Sequence, residues 1–177
     1  IKIMKVPIGF EFLNDPNSPK MIVEAMKFYG LKEKVGPGSN PVILGWAKEL
    51  GLNDYTDDSI PWCGLGMAKV AKDSGKTVPN KPLWARNWLN FGVKMDIPAY
   101  GDVMVFSRGS AGHVGLYVGE SKNTYYVYGA NTGDAWAITE IAKSRFLGAR
   151  AEFRIMPPES RRVIMLPAGL ALKLRED

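Results

Sequence analysis

The strongest constraint on the fold is a change in sequence character near residue 98. Before it, apolar residues recur at helical spacing in segments that end at glycine, which predicts helices over 20–29, 41–50 and 61–74 and a short helix over 84–89. After it, strand-like runs alternate with glycine-containing turns, which predicts strands over 102–107, 113–118, 124–130, 136–140 and 145–153. Because the connections are short, an antiparallel meander is favoured. The sequence therefore predicts an α+β domain, with N-terminal helices packed on an antiparallel sheet of five or six strands.

The length and composition fit one domain. At 177 residues and 46% hydrophobic content, the chain can bury a sizeable core. We assign residues 1–155 to this domain, with a helical part over about 20–92 and a sheet over about 100–153, and residues 156–177 to a C-terminal extension. We expect the extension to add a packing element; the alternatives are a contact for a partner or a basic segment that perturbs an anionic membrane.

Charge and rare residues narrow the classes of function. A single cysteine and a single histidine exclude a disulfide framework and a Cys/His zinc site, so no metal or other cofactor is indicated. The net charge of +5 and the pI near 9.3 suit anionic surroundings such as nucleic acid, acidic lipid or cell-envelope phosphate, or serve solubility alone. No run reaches the roughly 18 apolar residues of a membrane span, and the start of the chain is too short for a signal peptide.

The only cysteine, Cys63, is predicted to lie in the first turn of the third helix. Asp57, Asp58 and Ser59 are candidates for the N-cap of this helix, and Pro61 suits its first turn. At this position, unpaired amides and the positive end of the helix dipole stabilise a thiolate, the nucleophilic form of cysteine. The alternative role for a lone cysteine is that of a small buried apolar residue.

The only histidine, His113, opens a predicted strand, and the register of the next hairpin suggests a partner. If the turn is centred near residue 121, paired positions add to about 242, so His113 faces residues 129–131. Asn131 then lies within hydrogen-bonding reach of the imidazole, although it also suits an ordinary turn. Together with Cys63, these residues form a Cys-His-Asn arrangement of nucleophile, base and orienting amide.

Aromatic residues near Cys63 are candidates for contacts with a substrate. Trp62, Trp84 and Trp88 are the tryptophans that would line a groove for a saccharide or peptide. Their alternative is the hydrophobic core, which we prefer for Trp88. Asp58 is a further candidate for a contact with substrate.

Five segments occur in a fixed order along the chain: Pro61-Trp62-Cys63-Gly64, Trp88-Leu89-Asn90-Phe91-Gly92, Tyr100-Gly101-Asp102-Val103-Met104-Val105-Phe106, Gly112-His113-Val114-Gly115-Leu116-Tyr117-Val118-Gly119 and Gly129-Ala130-Asn131. Together they resemble the papain-like CHAP/NlpC-type cell-wall hydrolases, in particular those of phage endolysins and related bacterial proteins. The resemblance covers about residues 20–150. It implies Cys63 as nucleophile, His113 as base and Asn131 as the third polar residue. Many CHAP enzymes have a glutamate two positions before this asparagine, where this chain has Gly129.

The function that the resemblance implies is hydrolysis of an amide bond in bacterial peptidoglycan by a monomeric enzyme, with no nucleic-acid partner. The bond joins muramic acid to L-alanine or lies within the stem peptide. Such a protein is made in the cytoplasm of an infected bacterium and reaches the wall through a holin or on a virion, with basic residues and the C-terminal tail contacting the anionic envelope. The alternatives are a non-catalytic wall-binding module and a thiol acyltransferase or deconjugating protease on the same fold.

Overall fold

The computed structural model describes residues 3–32, 39–55, 61–132, 135–153 and 155–170. Its three α-helices in the described residues are α1 (Lys20–Met26), α2 (Pro41–Glu49) and α3 (Cys63–Asp73). Short 3-10 helices span Glu11–Asn14, Ala85–Asn90 and Lys143–Arg145. The strands are β1 (Val93–Met95), β2 (Val103–Arg108), β3 (Ala111–Glu120), β4 (Thr124–Thr132), β5 (Ala135–Ala142) and β6 (Phe146–Ala151). The protein is therefore an α+β domain, as predicted.

The six strands form one antiparallel sheet in the order β1-β6-β2-β3-β4-β5. Strands β2 to β5 follow one another as the predicted meander, and β6 returns to pair with the free side of β2. Strand β1 was not predicted, because it has three residues at a sheet edge and lacks an alternating buried face. The segment predicted as a short helix over 84–89 is a 3-10 helix that starts one residue later.

Helix α3 packs on the sheet at a very short distance. A Cβ atom on Gly66 would lie 2.7 Å from the Cβ of Ala130 and 2.8 Å from Cζ2 of Trp136, far inside ordinary contact. A Cβ on Gly64 would overlap the backbone carbonyl of Pro82. The glycines in the first turn and a half of α3 therefore let this helix approach both the sheet and the segment before the 3-10 helix Ala85–Asn90.

The C-terminal extension is part of the domain as far as it is described. Glu120 of β3 exchanges backbone hydrogen bonds with this segment, donating to the carbonyl of Ile164 at 2.8 Å and accepting from Leu166 at 2.8 Å. Arg161 donates to both carboxylate oxygens of the buried Asp102, at 2.9 and 2.8 Å. These contacts join the described part of the C-terminal segment to the sheet, and residues 171–177 lie outside the described residues. Among the described helices, none is both long and apolar enough to cross a membrane.

Candidate active site

Cys63 is the first residue of α3, as the sequence predicted. The N-cap is Trp62, which has no side-chain capping hydrogen bond, and Pro61 precedes the cap instead of lying in the first turn. The predicted capping residues, Asp57, Asp58 and Ser59, fall in 56–60, outside the described residues. The helix thus begins slightly later than predicted and leaves its first amides free of an N-cap side chain.

The thiol of Cys63 is buried against the backbone of β3. The residue is 4% exposed and forms no disulfide, and the backbone amide of Val114 is close enough to its sulfur to act on its pKa. Burial raises the pKa of Cys63 above its usual value, although the Val114 amide, the Arg108 guanidinium and the amides of Gly64 and Cys63 act to lower it. The expected stabilisation of a thiolate at the helix N-terminus is therefore present but is outweighed by desolvation, and the resting form is a thiol.

His113 lies on β3, directly before the residue whose amide faces the Cys63 sulfur. It pairs with Phe106 of β2 and is fully buried. Within the described part of the chain, neither imidazole nitrogen has a hydrogen-bond partner, so no hydrogen bond joins it to Cys63. Burial, followed by the charges of Arg108 and Arg145, lowers the pKa of His113 to about 3. The imidazole is therefore neutral at physiological pH.

The 129–131 segment was predicted to face His113, and the structure places the first of these residues, Gly129, against the imidazole. In the β3–β4 ladder the paired positions Leu116 and Tyr128 add to 244, close to the predicted sum of 242. A Cβ on Gly129 would lie 3.3 Å from Nε2 of His113, so this glycine does occupy a place from which a longer side chain would reach the imidazole. Asn131 belongs to β4, but its side chain lies outside the described residues, and its orienting role stays a prediction.

The three tryptophans predicted near the site differ in their exposure to solvent. Trp62 is fully buried and packs against Trp46 with a ring-centroid distance of 6.3 Å, so it belongs to the core and offers no surface to a substrate. Trp88 is also fully buried, as expected, and donates to the carbonyl of Pro82 at 2.9 Å. Trp84 is 71% exposed beside an open cleft of about 550 Å³ that is lined by residues 51–54 and 81–84. Of the three, only Trp84 is placed to meet a ligand.

Sequence reasoning missed a set of arginines around the β2–β3 hairpin. Arg86 donates to the carbonyls of Ala111 at 3.0 Å and Gly109 at 3.1 Å, and Arg145 donates to the carbonyl of Ser107 at 2.9 Å. Arg108 pairs with Ala111 at the end of β2 and is exposed. No local sequence signal joins these residues, since Arg86 and Arg145 come from 3-10 segments far from the hairpin in sequence.

No protein-family model and no curated protein matches this sequence. Among the described residues, no group of three His, Cys, Asp or Glu side chains is arranged to hold a metal ion.

Proposed function

We propose that the protein is a cysteine-dependent hydrolase of bacterial peptidoglycan that cleaves an amide bond, and that it acts as a phage endolysin. The observation that supports this proposal is the placement of the free thiol of Cys63 at the start of α3, against the β3 backbone beside His113. A cysteine at a helix N-terminus, packed on an antiparallel sheet next to a strand that carries a histidine, is the arrangement expected of a thiol hydrolase. It agrees with the resemblance of the five motif segments to CHAP/NlpC-type enzymes.

The proposed reaction follows from the protonation states of the pair. Because the thiol and the imidazole are both neutral at rest, the Sγ proton passes to His113 as Sγ forms its bond to the amide carbonyl carbon. The backbone N–H of Cys63, at the helix N-terminus, binds the developing oxyanion. The imidazolium then protonates the departing amine as the C–N bond breaks, leaving a thioester. Water, deprotonated by His113, hydrolyses the thioester to a carboxylic acid and the free thiol.

The burial of the pair sets a condition for this mechanism. With Cys63 4% exposed and His113 fully buried, a substrate reaches them only after the surrounding segments move. In the resting state, a thiol of raised pKa is protected from oxidation and alkylation. We therefore expect activity to require a local opening at the start of α3.

The cleft beside Trp84 is the proposed place for the substrate. Its lining segment, residues 81–84, packs on the first turn of α3 through the carbonyl of Pro82, so the cleft lies close to Cys63 in the fold. An exposed indole on the wall of a cleft suits stacking against a sugar ring or an apolar peptide side chain. The exposure of Trp84 supports its proposed contact with substrate, whereas the burial of Trp62 argues against one for that residue.

A non-catalytic wall-binding module is the rival proposal, and one observation favours it. The catalytic pair is buried, whereas Trp84 and its cleft are open in the same structure. Binding to wall material does not separate the two proposals, but turnover by the wild type does.

The deciding experiment is digestion of purified peptidoglycan with wild type, Cys63→Ala and Met67→Leu, followed by mass spectrometry of the released fragments. Met67 is buried in the same helix, so its volume-conserving substitution controls for disturbance of α3. We expect release by wild type and Met67→Leu and none by Cys63→Ala. Equal release by all three proteins would refute the thiol mechanism, and no release by wild type would favour the binding module.

The same fragments identify the bond. New muramic acid lactyl ends indicate cleavage next to L-alanine, whereas new amino groups within the peptide indicate an endopeptidase. Release of neither, with transfer of an acyl group to an added amine, would indicate the thiol acyltransferase alternative.

A further inference from the structure

The arginines at the β2–β3 hairpin carry positive charge that no carboxylate offsets within the described residues. None of the ion pairs among the described residues involves Arg86, Arg108 or Arg145. The partners of Arg86 and Arg145 are neutral backbone carbonyls, which fix the guanidinium groups without cancelling their charge. The Arg108 side chain makes no hydrogen bond within the described residues, and the residue is exposed.

The position of Arg108 relative to the catalytic pair follows from the sheet register. Arg108 is opposite Ala111, and Phe106 is opposite His113, so Arg108 and His113 are diagonal neighbours on the same face of the ladder. Such neighbours have Cβ atoms about 7–8 Å apart or less. In agreement with this placement, the Arg108 charge acts on the pKa values of both Cys63 and His113.

This charge opposes one step of the proposed reaction. The step that forms the thioester passes through an imidazolium at His113, and the charges of Arg108 and Arg145 disfavour that cation. An anionic group bound at the hairpin would offset them as the imidazolium forms. The cluster is then an advantage only when the substrate itself brings a negative charge to this place.

We propose that Arg108, assisted by the charges of Arg86 and Arg145, binds a carboxylate of the substrate peptide next to the bond that is cut. The guanidinium group suits this ligand because its planar donors match the two oxygens of a carboxylate. This inference rests on the proposed function, since it specifies which peptides the hydrolase selects: those with a free carboxylate near the scissile amide, in preference to the same peptides carrying a carboxamide.

The test uses a pair of synthetic muropeptides with a complete stem peptide, identical except that the glutamate carboxylate is free in one and converted to a carboxamide in the other. We measure kcat/KM for both with wild type, Arg108→Gln and Lys94→Gln. Lys94 is an exposed cation on the edge strand β1, so its substitution removes the same net charge away from the hairpin. A complete stem peptide contains both candidate bonds, and the masses of the products show whether the bond that is cut lies near the glutamate.

We expect wild type and Lys94→Gln to prefer the acid over the amide by about tenfold, as for one charge-assisted contact, and Arg108→Gln to lose most of this preference through a higher KM for the acid. Raising the salt concentration should weaken the wild-type preference. Equal cleavage of the two muropeptides by wild type, or an unchanged preference in Arg108→Gln, would overturn the proposal.

Failure of the proposed function gives a different result. If wild type cleaves neither muropeptide, the hydrolase proposal fails, and calorimetric titration with the same pair decides the anion site. Tighter binding of the acid to wild type, lost in Arg108→Gln and kept in Lys94→Gln, supports the site. Equal affinities of the acid and the amide for wild type reject it.

Discussion

Replacing Gly66 by alanine tests the contact that holds α3, the helix that begins at Cys63, on the sheet. The new Cβ would lie 2.7 Å from Ala130 Cβ, whereas carbon atoms in contact are about 3.5–4.0 Å apart, so α3 or β4 must move by about 1 Å. Overpacking of this kind costs about 1–3 kcal/mol, against a gain of about 0.5–1 kcal/mol from replacing glycine within a helix. We expect a net loss of stability of about 1–2 kcal/mol.

Gly45 provides the matched control, because it is an exposed glycine within α2 and a Cβ there meets no atom within 4 Å. In a chain of this size, 1 kcal/mol corresponds to a change in Tm of about 2–4 °C. In thermal unfolding followed by circular dichroism, the Tm of Gly66→Ala should therefore be about 4 °C lower than that of wild type, and the Tm of Gly45→Ala about 2 °C higher. Because Cys63 moves with α3, kcat/KM on peptidoglycan should fall up to about 100-fold in Gly66→Ala only. Equal melting temperatures for the two variants would refute the close packing described for α3.

Three further predictions concern buried groups. The pKa of His113 is about 3 in the folded protein and about 6.5 in the unfolded chain, so its contribution to stability is complete above pH 6.5 and is lost as the pH falls towards 3. Between pH 7 and pH 4.5, the free energy of unfolding measured in urea should therefore fall by about 2–3 kcal/mol more in wild type than in His113→Gln. Equal decreases in the two proteins would contradict the buried neutral imidazole. Arg161→Met leaves the Asp102 carboxylate buried without its partner and should cost about 3–5 kcal/mol in urea unfolding. Lys20→Met removes an exposed lysine from Glu24, which keeps Lys27 as a partner, and should cost less than about 0.5 kcal/mol; similar effects would refute the anchoring of the C-terminal segment. Because the Cys63 thiol is buried and its pKa is raised, iodoacetamide at pH 7 should modify it at least about tenfold more slowly than free cysteine. Mass spectrometry measures the rate of labelling, and labelling at the rate of free cysteine would argue against the closed site.

Most of the secondary structure could be predicted from local patterns. Strand β3 was found from its glycine-bounded alternation and α3 from its apolar spacing, and both periods depend only on neighbours in sequence. Strand β1 could not be found, because its pairing with β6 comes from a segment more than fifty residues away. The start of α3 was predicted two residues too early, because a proline and polar residues are common both just before an N-cap and within the first turn of a helix.

The candidate site was predicted in part. Cys63 and His113 stood out as single residues of their kind, and counting through a hairpin placed residues 129–131 beside His113 because a two-strand register depends on one turn only. Trp62 was predicted to line a groove because it directly precedes Cys63 in sequence, but its ring is buried in the core. Sequence adjacency does not indicate on which side of a helix start a ring lies.

The sequence by itself determined the α+β order of elements and singled out Cys63 and His113, the two residues on which the proposed hydrolase chemistry rests. Only the tertiary structure decided their state and surroundings: a thiol and a neutral imidazole, both buried, with Arg108 beside them and Trp84 on an open cleft. The physical reason is that periodicity depends on neighbouring residues, whereas desolvation and electrostatic interaction depend on every segment that packs around a group, including segments distant in sequence.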